Sequence, residues 1–172
     1  MLGCGMNRRA EVDPLPHLAA VSAAVRTSGQ PEATFRALDA AMAATLGHRL
    51  FTCLLHHPAA RESERRYTNQ PEAYPVGGRK PVPASPWARR LFEERQPYIG
   101  YTADDIREVF FDHALIVSLG CGSVLNLPVV HDGRTLGVLN LLHEARWYGE
   151  DDVPLGQVFA ALAVPAFRLL AG

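Results

Sequence analysis

The stretch 123–142 restricts the fold more than any other part of the sequence. Two runs rich in Val and Leu, 123–131 and 134–142, flank the pair Asp132-Gly133. Asp-Gly is a favoured two-residue hairpin turn, because both residues tolerate the positive φ that the turn requires. Each run is long enough to cross a small sheet and too apolar to lie on a surface. The stretch therefore predicts a central antiparallel hairpin that is buried on both faces.

The rest of the chain mixes helical and extended patterns around this hairpin. Apolar residues spaced three and four apart predict two helices near the N-terminus and one at the C-terminus, whereas short apolar runs predict strands. The predicted helices lie at 14–29, 31–47 and 150–170, and the predicted strands outside the hairpin lie at 50–57, 65–69 and 98–101.

The segment 70–86 carries five prolines and two glycines, which predicts an irregular connection. A connection of this length in a compact domain is often functional or mobile. Ser85 followed by Pro86 is a favourable start for a short helix, and Thr102 is a suitable N-cap for another. We therefore expect loops and short helices, rather than a further long helix, between the first strands and the hairpin.

Composition limits the class of protein. The chain has 172 residues and a net charge of −1, so it suits one domain and offers no electrostatic surface for nucleic acid or an anionic membrane. We expect a flexible tail at 1–13 and one domain at 14–172. Neither a signal peptide nor an apolar run of membrane-spanning length stands out, and three widely spaced cysteines favour a reducing cytoplasm.

The hairpin and the residues after it carry a family resemblance. The pattern consists of Ser123-x-x-x-x-Pro128-Val129, Asp132-Gly133-x-x-Leu136-Gly137-Val138-Leu139-x-Leu141, Trp147 and the acidic cluster 150–152. It resembles the GAF domain, a small-molecule-sensing module, and the likeness covers roughly 15–170.

The resemblance implies an α/β (α+β) fold with a GAF/PAS-like antiparallel sheet of about six strands and helices on both faces. The first, second and last helices would cover one face. The crossover helices and loops would cover the other, with a ligand pocket beneath them. GAF domains often form homodimers through their first and last helices, and we expect the same of this chain.

The segment after the hairpin argues against a cyclic nucleotide as the ligand. In GAF domains that bind cyclic nucleotides, an Asn-Lys pair precedes a Phe and an Asp-Glu pair. Here those positions hold 143–144 (His-Glu), Trp147 and 151–152 (Asp-Asp). An acid, Glu144, thus replaces the lysine, and a contact between two acidic side chains would be repulsive.

Strand alternation sorts the candidate pocket residues. With a regular two-residue turn, His131 pairs with Arg134 and Leu125 pairs with Asn140, so Leu125 and Asn140 share a face. Asn126 then points to the other face unless a bulge intervenes. Asn140 occupies a position where some GAF domains contact the ligand, although a structural amide bonded to a loop is an equal alternative.

Aromatic and thiol side chains complete the predicted site. The crossover aromatics would cover a flat or apolar ligand, tyrosines beside the 70–86 segment would donate hydrogen bonds, and ordinary core packing is the alternative for each. The predicted ligand-binding residues are Asn140, Trp87, Phe110, Phe111, Tyr67, Cys53, Cys121 and Leu125, and Tyr74 is a further candidate. We predict no catalytic residue and no metal site, and the ligand and any cofactor are unidentified.

Three functions are compatible with these residues. The first is a sensory domain that binds a small molecule and, having no output domain of its own, acts through a separate signalling partner. The second is a thiol-dependent reductase, because a few GAF-like proteins reduce free methionine sulfoxide with lid cysteines. Only Cys121 lies in the corresponding lid, so a redox pair with Cys53 is the weaker reading. The third is a dimerisation or partner-binding module with a vestigial pocket.

Overall fold

A computed structural model describes residues 10–171. Residues 1–9 of the predicted tail and Gly172 lie outside the described part. Its six strands form one antiparallel sheet in the order β3-β2-β1-β6-β5-β4. The strands are β1 (Leu50–His57), β2 (Glu62–Thr68), β3 (Arg79–Pro81), β4 (Tyr98–Gly100), β5 (Ser123–His131) and β6 (Arg134–His143). The predicted six-stranded α+β architecture is confirmed.

The predicted hairpin forms the centre of the sheet. Strands β5 and β6 pair along their whole length, from Ser123 opposite His143 to His131 opposite Arg134. At the turn, Asp132 has φ 49° and Gly133 has φ 69°, the left-handed values that an Asp-Gly turn accommodates. Positions 123–129 are all buried, so this strand has no solvent-facing side.

Three helices cover one face of the sheet, as predicted. They are α1 (Leu15–Val25), α2 (Glu32–Thr45) and α6 (Val153–Ala171). Phe35, Phe159 and Phe167 project from α2 and α6 and are completely buried against the strands. We call this side of the sheet the helix side.

The last helix is more apolar than the sequence reading allowed. Together with the turn before it, residues 150–171 are long and apolar enough to cross a membrane by length and composition alone. Core helices of soluble proteins pass the same test, and the inner residues Phe159, Ala163 and Phe167 lie in the core of this domain. The apolar character of α6 is therefore shared between a core-facing stripe and an outward one.

Short helices and the 70–86 segment cover the other face, which we call the cavity side. The helices are α3 (Pro86–Ala88), which continues as a π-helical turn over Arg89–Glu93, α4 (Ala103–Val109) and α5 (His113–Ser118). Ser85 and Thr102 cap α3 and α4 as predicted, each accepting a hydrogen bond from a backbone N–H three residues on. Strand β3 lies inside the segment predicted to be irregular, and α5 was not predicted at all.

A β-bulge changes the predicted register of the hairpin. Val130 pairs with Thr135, but Val129 pairs with Gly137, so Leu136 is an extra residue on β6. Beyond the bulge, Leu125 lies opposite Leu141 and Asn126 lies opposite Asn140. The predicted pairing of Leu125 with Asn140 is therefore wrong, because a one-residue insertion shifts every later pair and exchanges the faces.

A second bulge occurs between β1 and β2. Cys53 pairs with Tyr67 and Leu54 pairs with Arg65, which leaves Arg66 as the extra residue. Tyr67 consequently shares the helix side with Cys53, whereas Arg65 shares the cavity side with Leu54. The strand begins at Glu62, three residues before its predicted start.

Candidate functional site

The cavity side holds a cavity of about 120 Å³ between the sheet and its cover. Strands β1, β5 and β6 form its floor through Thr52, Asn126 and Asn140. Its walls come from the 70–86 segment, from Trp87 of α3 and from the chain between α4 and α5, including Phe110. The central hairpin thus lies between an apolar core on one side and a lined space on the other.

A chain of side-chain hydrogen bonds runs across the cavity floor. Trp87 Nε1–H donates to Asn126 Oδ1 at 3.0 Å, and Asn126 Nδ2–H donates to Asn140 Oδ1 at 2.5 Å. Asn140 Nδ2–H then donates to Thr52 Oγ1 at 3.1 Å. All three hydrogen bonds point in one direction, from α3 through β5 and β6 to β1. The bulge at Leu136 makes this chain possible because it brings the two amides opposite each other.

Arg65 supplies a buried positive charge to the wall. Only 7% of the residue is exposed, and its guanidinium lies 4.7 Å from the centre of the Tyr74 ring. Arg65 Nη1–H donates to the Pro75 carbonyl at 3.0 Å, while Nε has no hydrogen-bond partner among the described residues. Burial lowers the pKa of Arg65 from its ordinary value, although a guanidinium stays protonated in proteins. The wall therefore holds a cation whose bonding capacity is only partly used.

Asp112 gathers two further polar groups at the wall. The Tyr74 hydroxyl donates to Asp112 Oδ2 at 2.7 Å, and Lys80 Nζ lies 3.4 Å from the same oxygen. Burial and then the bond to Asp112 raise the pKa of Tyr74, so its hydroxyl remains a donor at neutral pH. These contacts tie the 70–86 segment to the residue before α5.

The predicted cover aromatics lie around the cavity. Trp87 and Phe110 meet edge to face, with their ring centroids 5.5 Å apart. Phe111 lines the cavity too, but 80% of it is exposed and Lys80 Nζ stands 4.8 Å from its ring. Phe92, a further aromatic residue of the crossover region, stacks on His56 and does not line this cavity. The structure thus brings four of the predicted ligand-binding residues together: Asn140, Trp87, Phe110 and Phe111.

The other four predicted residues do not line the cavity. Leu125 and Cys53 are buried in the helix-side core, and Tyr67 packs beside them while its hydroxyl donates to Asp39 at 2.6 Å. The bulge in the hairpin explains the Leu125 error, because regular alternation places Leu125 on the same face as Asn140. Tyr67 was predicted from its position beside the 70–86 segment, but its side chain lies on the helix side. Cys121 lies on the cavity side, in a small apolar cluster with Ile116 and Val124.

The proposed redox pair is also wrong. Cys53 belongs to the helix-side core and Cys121 to the cavity-side cluster, so the sheet separates the two thiols. Burial raises the pKa of Cys121 to about 11 and raises that of Cys53 well above its ordinary value. Both groups are therefore protonated at neutral pH and poor nucleophiles.

One polar and three charged residues of the site were not predicted from the sequence. Thr52, Arg65, Lys80 and Asp112 all line the cavity, and none belongs to the hairpin pattern. An arginine inside a predicted strand was a usable sign of a functional role for Arg65. The face on which its side chain lies, however, depends on the bulge between β1 and β2. Within residues 10–171, no group of three or more His, Cys, Asp or Glu side chains is placed to hold a metal ion.

Comparison with known proteins agrees with this architecture. The sequence model for the GAF domain matches residues 22–168. A GAF domain of a phosphoenolpyruvate-protein phosphotransferase from Coxiella burnetii superposes with a TM-score of 0.73 at 14% identity, over 92% of this chain and 94% of that one.

Two further solved structures are similar over most of their length. Residues 122 to 287 of a methyl-accepting chemotaxis protein give a TM-score of 0.68 at 20% identity, over 91% of this chain and 98% of that one. The phycoerythrobilin-bound GAF domain of a cyanobacterial phytochrome gives 0.69 at 20% identity, over 94% and 98%. No significant match is found among curated proteins. Because the family model spans most of the chain, the protein belongs to the GAF domain family.

Proposed function

We propose that this protein is a sensory domain that binds a small molecule in the cavity between the sheet and α3 to α5. The hydrogen-bonded chain of Trp87, Asn126, Asn140 and Thr52 carries the proposal. Buried polar side chains on an apolar strand face are costly unless they are bonded, and convergent polar groups in an apolar cavity are typical of ligand sites. The Thr52 hydroxyl accepts from Asn140 and keeps its own hydrogen for a further partner.

The size of the cavity favours a compact ligand. Solved neighbours include GAF domains with bound phycocyanobilin and phycoerythrobilin. A bilin contains four linked rings, whereas an apolar cavity of about 150 Å³ holds one benzene. The 120 Å³ cavity of this chain is on the scale of one ring or a short aliphatic chain. We therefore propose a ligand much smaller than a bilin.

Ligand binding would act through the cover. Arg65 and Asp112 both line the cavity and both bond to the 70–86 segment, at the Pro75 carbonyl and the Tyr74 hydroxyl. A ligand that contacts these side chains would favour the closed arrangement of that segment over more open ones. We propose that a separate signalling partner binds differently to the closed and open arrangements of this segment.

The ligand can be sought directly. Native mass spectrometry of the purified protein, followed by a thermal-shift screen of metabolites, should reveal a small molecule that stabilises the wild type. Thr52→Val removes one floor hydroxyl at nearly constant shape and should weaken its retention. The matched control Thr45→Val removes a hydroxyl from α2, where it bonds to the Ala41 carbonyl, and should leave retention unchanged.

Two results would contradict the proposal. One is a wild type that neither retains nor responds to any small molecule. The other is equal retention by wild type and Thr52→Val. A dimer that binds nothing would instead favour the partner-binding module with a vestigial cavity.

We also propose a homodimer through α1 and α6. The outward stripe of α6 includes Val158, which is 46% exposed, and Leu169, which is 63% exposed, while Leu15 of α1 is 67% exposed. Apolar side chains grouped along adjoining helices fit a second copy of the same surface. Light scattering after size exclusion should show a dimer that Val158→Glu disrupts. Leu115→Glu, on the cavity side, is the control, and a monomeric wild type would contradict the proposal.

A reducing, cytoplasmic location suits the same reading. Cys53 and Cys121 are both free thiols. Unpaired buried cysteines are typical of proteins that fold where disulfides do not persist. Fractionation of cells that express the tagged chain would test this location.

A further inference from the structure

The charge of the cavity wall extends the proposed function to a chemical class of ligand. The charged residues that line the cavity are Arg65, Lys80 and Asp112, two cations and one anion. We infer that the ligand is a small organic anion, a monocarboxylate of about one ring in size, whose charged group lies against Arg65. This inference rests on the proposed function, because it concerns the same cavity.

The unpaired guanidinium is the first argument. Among residues 10–171, Arg65 has no carboxylate within ion-pair distance, and Nε has no hydrogen-bond partner. Its side chain donates to the neutral backbone carbonyl of Pro75. A buried cation left without a counter-ion is costly, whereas a carboxylate accepts the parallel N–H groups of a guanidinium in a fixed geometry. An anionic ligand in contact with this guanidinium would supply the missing negative charge.

The acid in the wall does not serve as that counter-ion. Asp112 accepts the Tyr74 hydroxyl at 2.7 Å and lies 3.4 Å from Lys80 Nζ. Both contacts use the same carboxylate oxygen, and the charge of Asp112 is paired with that of Lys80. Asp112 acts on Arg65 only as a charge beyond ion-pair contact. Arg65 therefore has no carboxylate in contact among the described residues, and the Tyr74 ring lies 4.7 Å from its guanidinium.

The floor offers donors as well. Within the chain of bonds, Asn126 and Asn140 each donate one N–H to the next residue, and each amide has a second N–H. The Thr52 hydroxyl ends the chain and can donate onward. Donors and one net positive charge surround a space framed by Trp87 and Phe110, so an acceptor-rich head and an apolar body fit best.

Three probes of nearly equal shape distinguish charge from size: benzoate, benzamide and benzylammonium. In calorimetric titrations of the full chain, benzoate should bind at least about tenfold more tightly than benzamide, which corresponds to about 1.4 kcal/mol. Benzylammonium should bind more weakly than either. This preference is measured in the wild type and needs no variant to fold.

Variants then locate the charge. Arg65→Gln should abolish the preference for benzoate over benzamide, and Arg65→Lys should keep part of it. The matched control is Arg66→Gln, one residue along the same strand, where the arginine pairs with Glu64 at 3.3 Å outside the cavity. Circular dichroism would establish that each variant is folded. If Arg65→Gln does not fold, Lys80→Gln should still reduce the preference, because it removes the second cation of the wall.

The outcomes separate the two proposals. Equal or tighter binding of benzamide or benzylammonium by the wild type would overturn the anion inference and leave a small-molecule site in place. An unchanged preference in folded Arg65→Gln would overturn the assignment to Arg65. If none of the probes binds and no molecule co-purifies, both the inference and the proposed function fail.

Discussion

On the helix side of the sheet, strands β1, β5 and β6 present Cys53, Leu125 and Leu139, whereas one position away on the cavity side they present a threonine and two asparagines. The helix side is filled by three helices, whose phenylalanine rings are completely buried. The cavity side is covered by short helices and an irregular segment. The same backbone thus supports a packed core on one side, which supplies stability, and a polar, partly open site on the other.

The largest difference in stability between the two sides should appear when one phenylalanine on each side is replaced by alanine. Phe167→Ala removes a completely buried ring that meets Phe35 edge to face at 5.5 Å, and should lower the free energy of unfolding by about 3–5 kcal/mol. Phe111→Ala removes a ring that is 80% exposed and should cost less than about 1 kcal/mol. Urea denaturation measures both, and equal losses would refute the division of roles.

The floor amides should give a smaller but coupled effect. Asn140→Leu leaves the Asn126 Nδ2–H without its acceptor and should cost about 1–3 kcal/mol. Replacing both asparagines with leucine removes both halves of the bond, so the double variant should cost less than the sum of the single ones by about 0.5–3 kcal/mol. A double-mutant cycle by chemical denaturation tests this, and simple additivity would mean that the bond does not form.

The carboxylate of Glu64, which pairs with His57, should make the stability of the protein depend on pH. The hydrogen bond from His57, at 2.8 Å, is the main cause that lowers the pKa of Glu64, and burial opposes it. A lowered carboxyl pKa contributes stability above the ordinary value of 4.5 and loses it as the pH falls through the folded value. The stability difference between wild type and Glu64→Gln should therefore shrink from neutral pH toward about pH 3. A constant difference would exclude this linkage.

The smallest expected effect is a difference in reaction rate between the two thiols, Cys53 and Cys121. In a Cys4→Ser background, a small disulfide reagent should react slowly with both Cys53 and Cys121, since burial raises both pKa values. Cys121 should react first, because its cluster is small and its cover can open locally. Faster reaction of Cys53 would place the weaker cover on the helix side.

Periodicity in the sequence accounts for the helix side. Phe35, Leu38 and Met42 repeat at helical spacing, and the Asp-Gly turn fixes the position of the hairpin, so local patterns determine these elements. The cavity side follows no such period. Tyr74, Lys80 and Asp112 come together only through the folding of a segment without regular pattern.

The faces of the strands were predicted less well than their positions. Alternation assigns a face only while the register is regular. The misplaced strand residues Cys53, Tyr67 and Leu125 all lie on strands that pair across a bulge. Leu125 was assigned to the pocket for that reason, whereas Tyr67 was assigned because it lies beside the 70–86 segment, and Arg65 was overlooked. No single residue in the sequence marks Leu136 or Arg66 as the extra one, because a bulge arises from the pairing of two strands.

The extra residue Leu136 sets the phase of everything after it on β6. Shortening the strand by that one residue would leave the composition of the chain almost unchanged. It would nevertheless rotate Asn140 toward the helices and Leu139 and Leu141 toward the cavity. A buried amide would then lack its partner, and the cavity would lose the middle of its polar floor. In this domain, removing one residue from β6 would exchange the side chains that the rest of the strand presents to the helix side and to the cavity side.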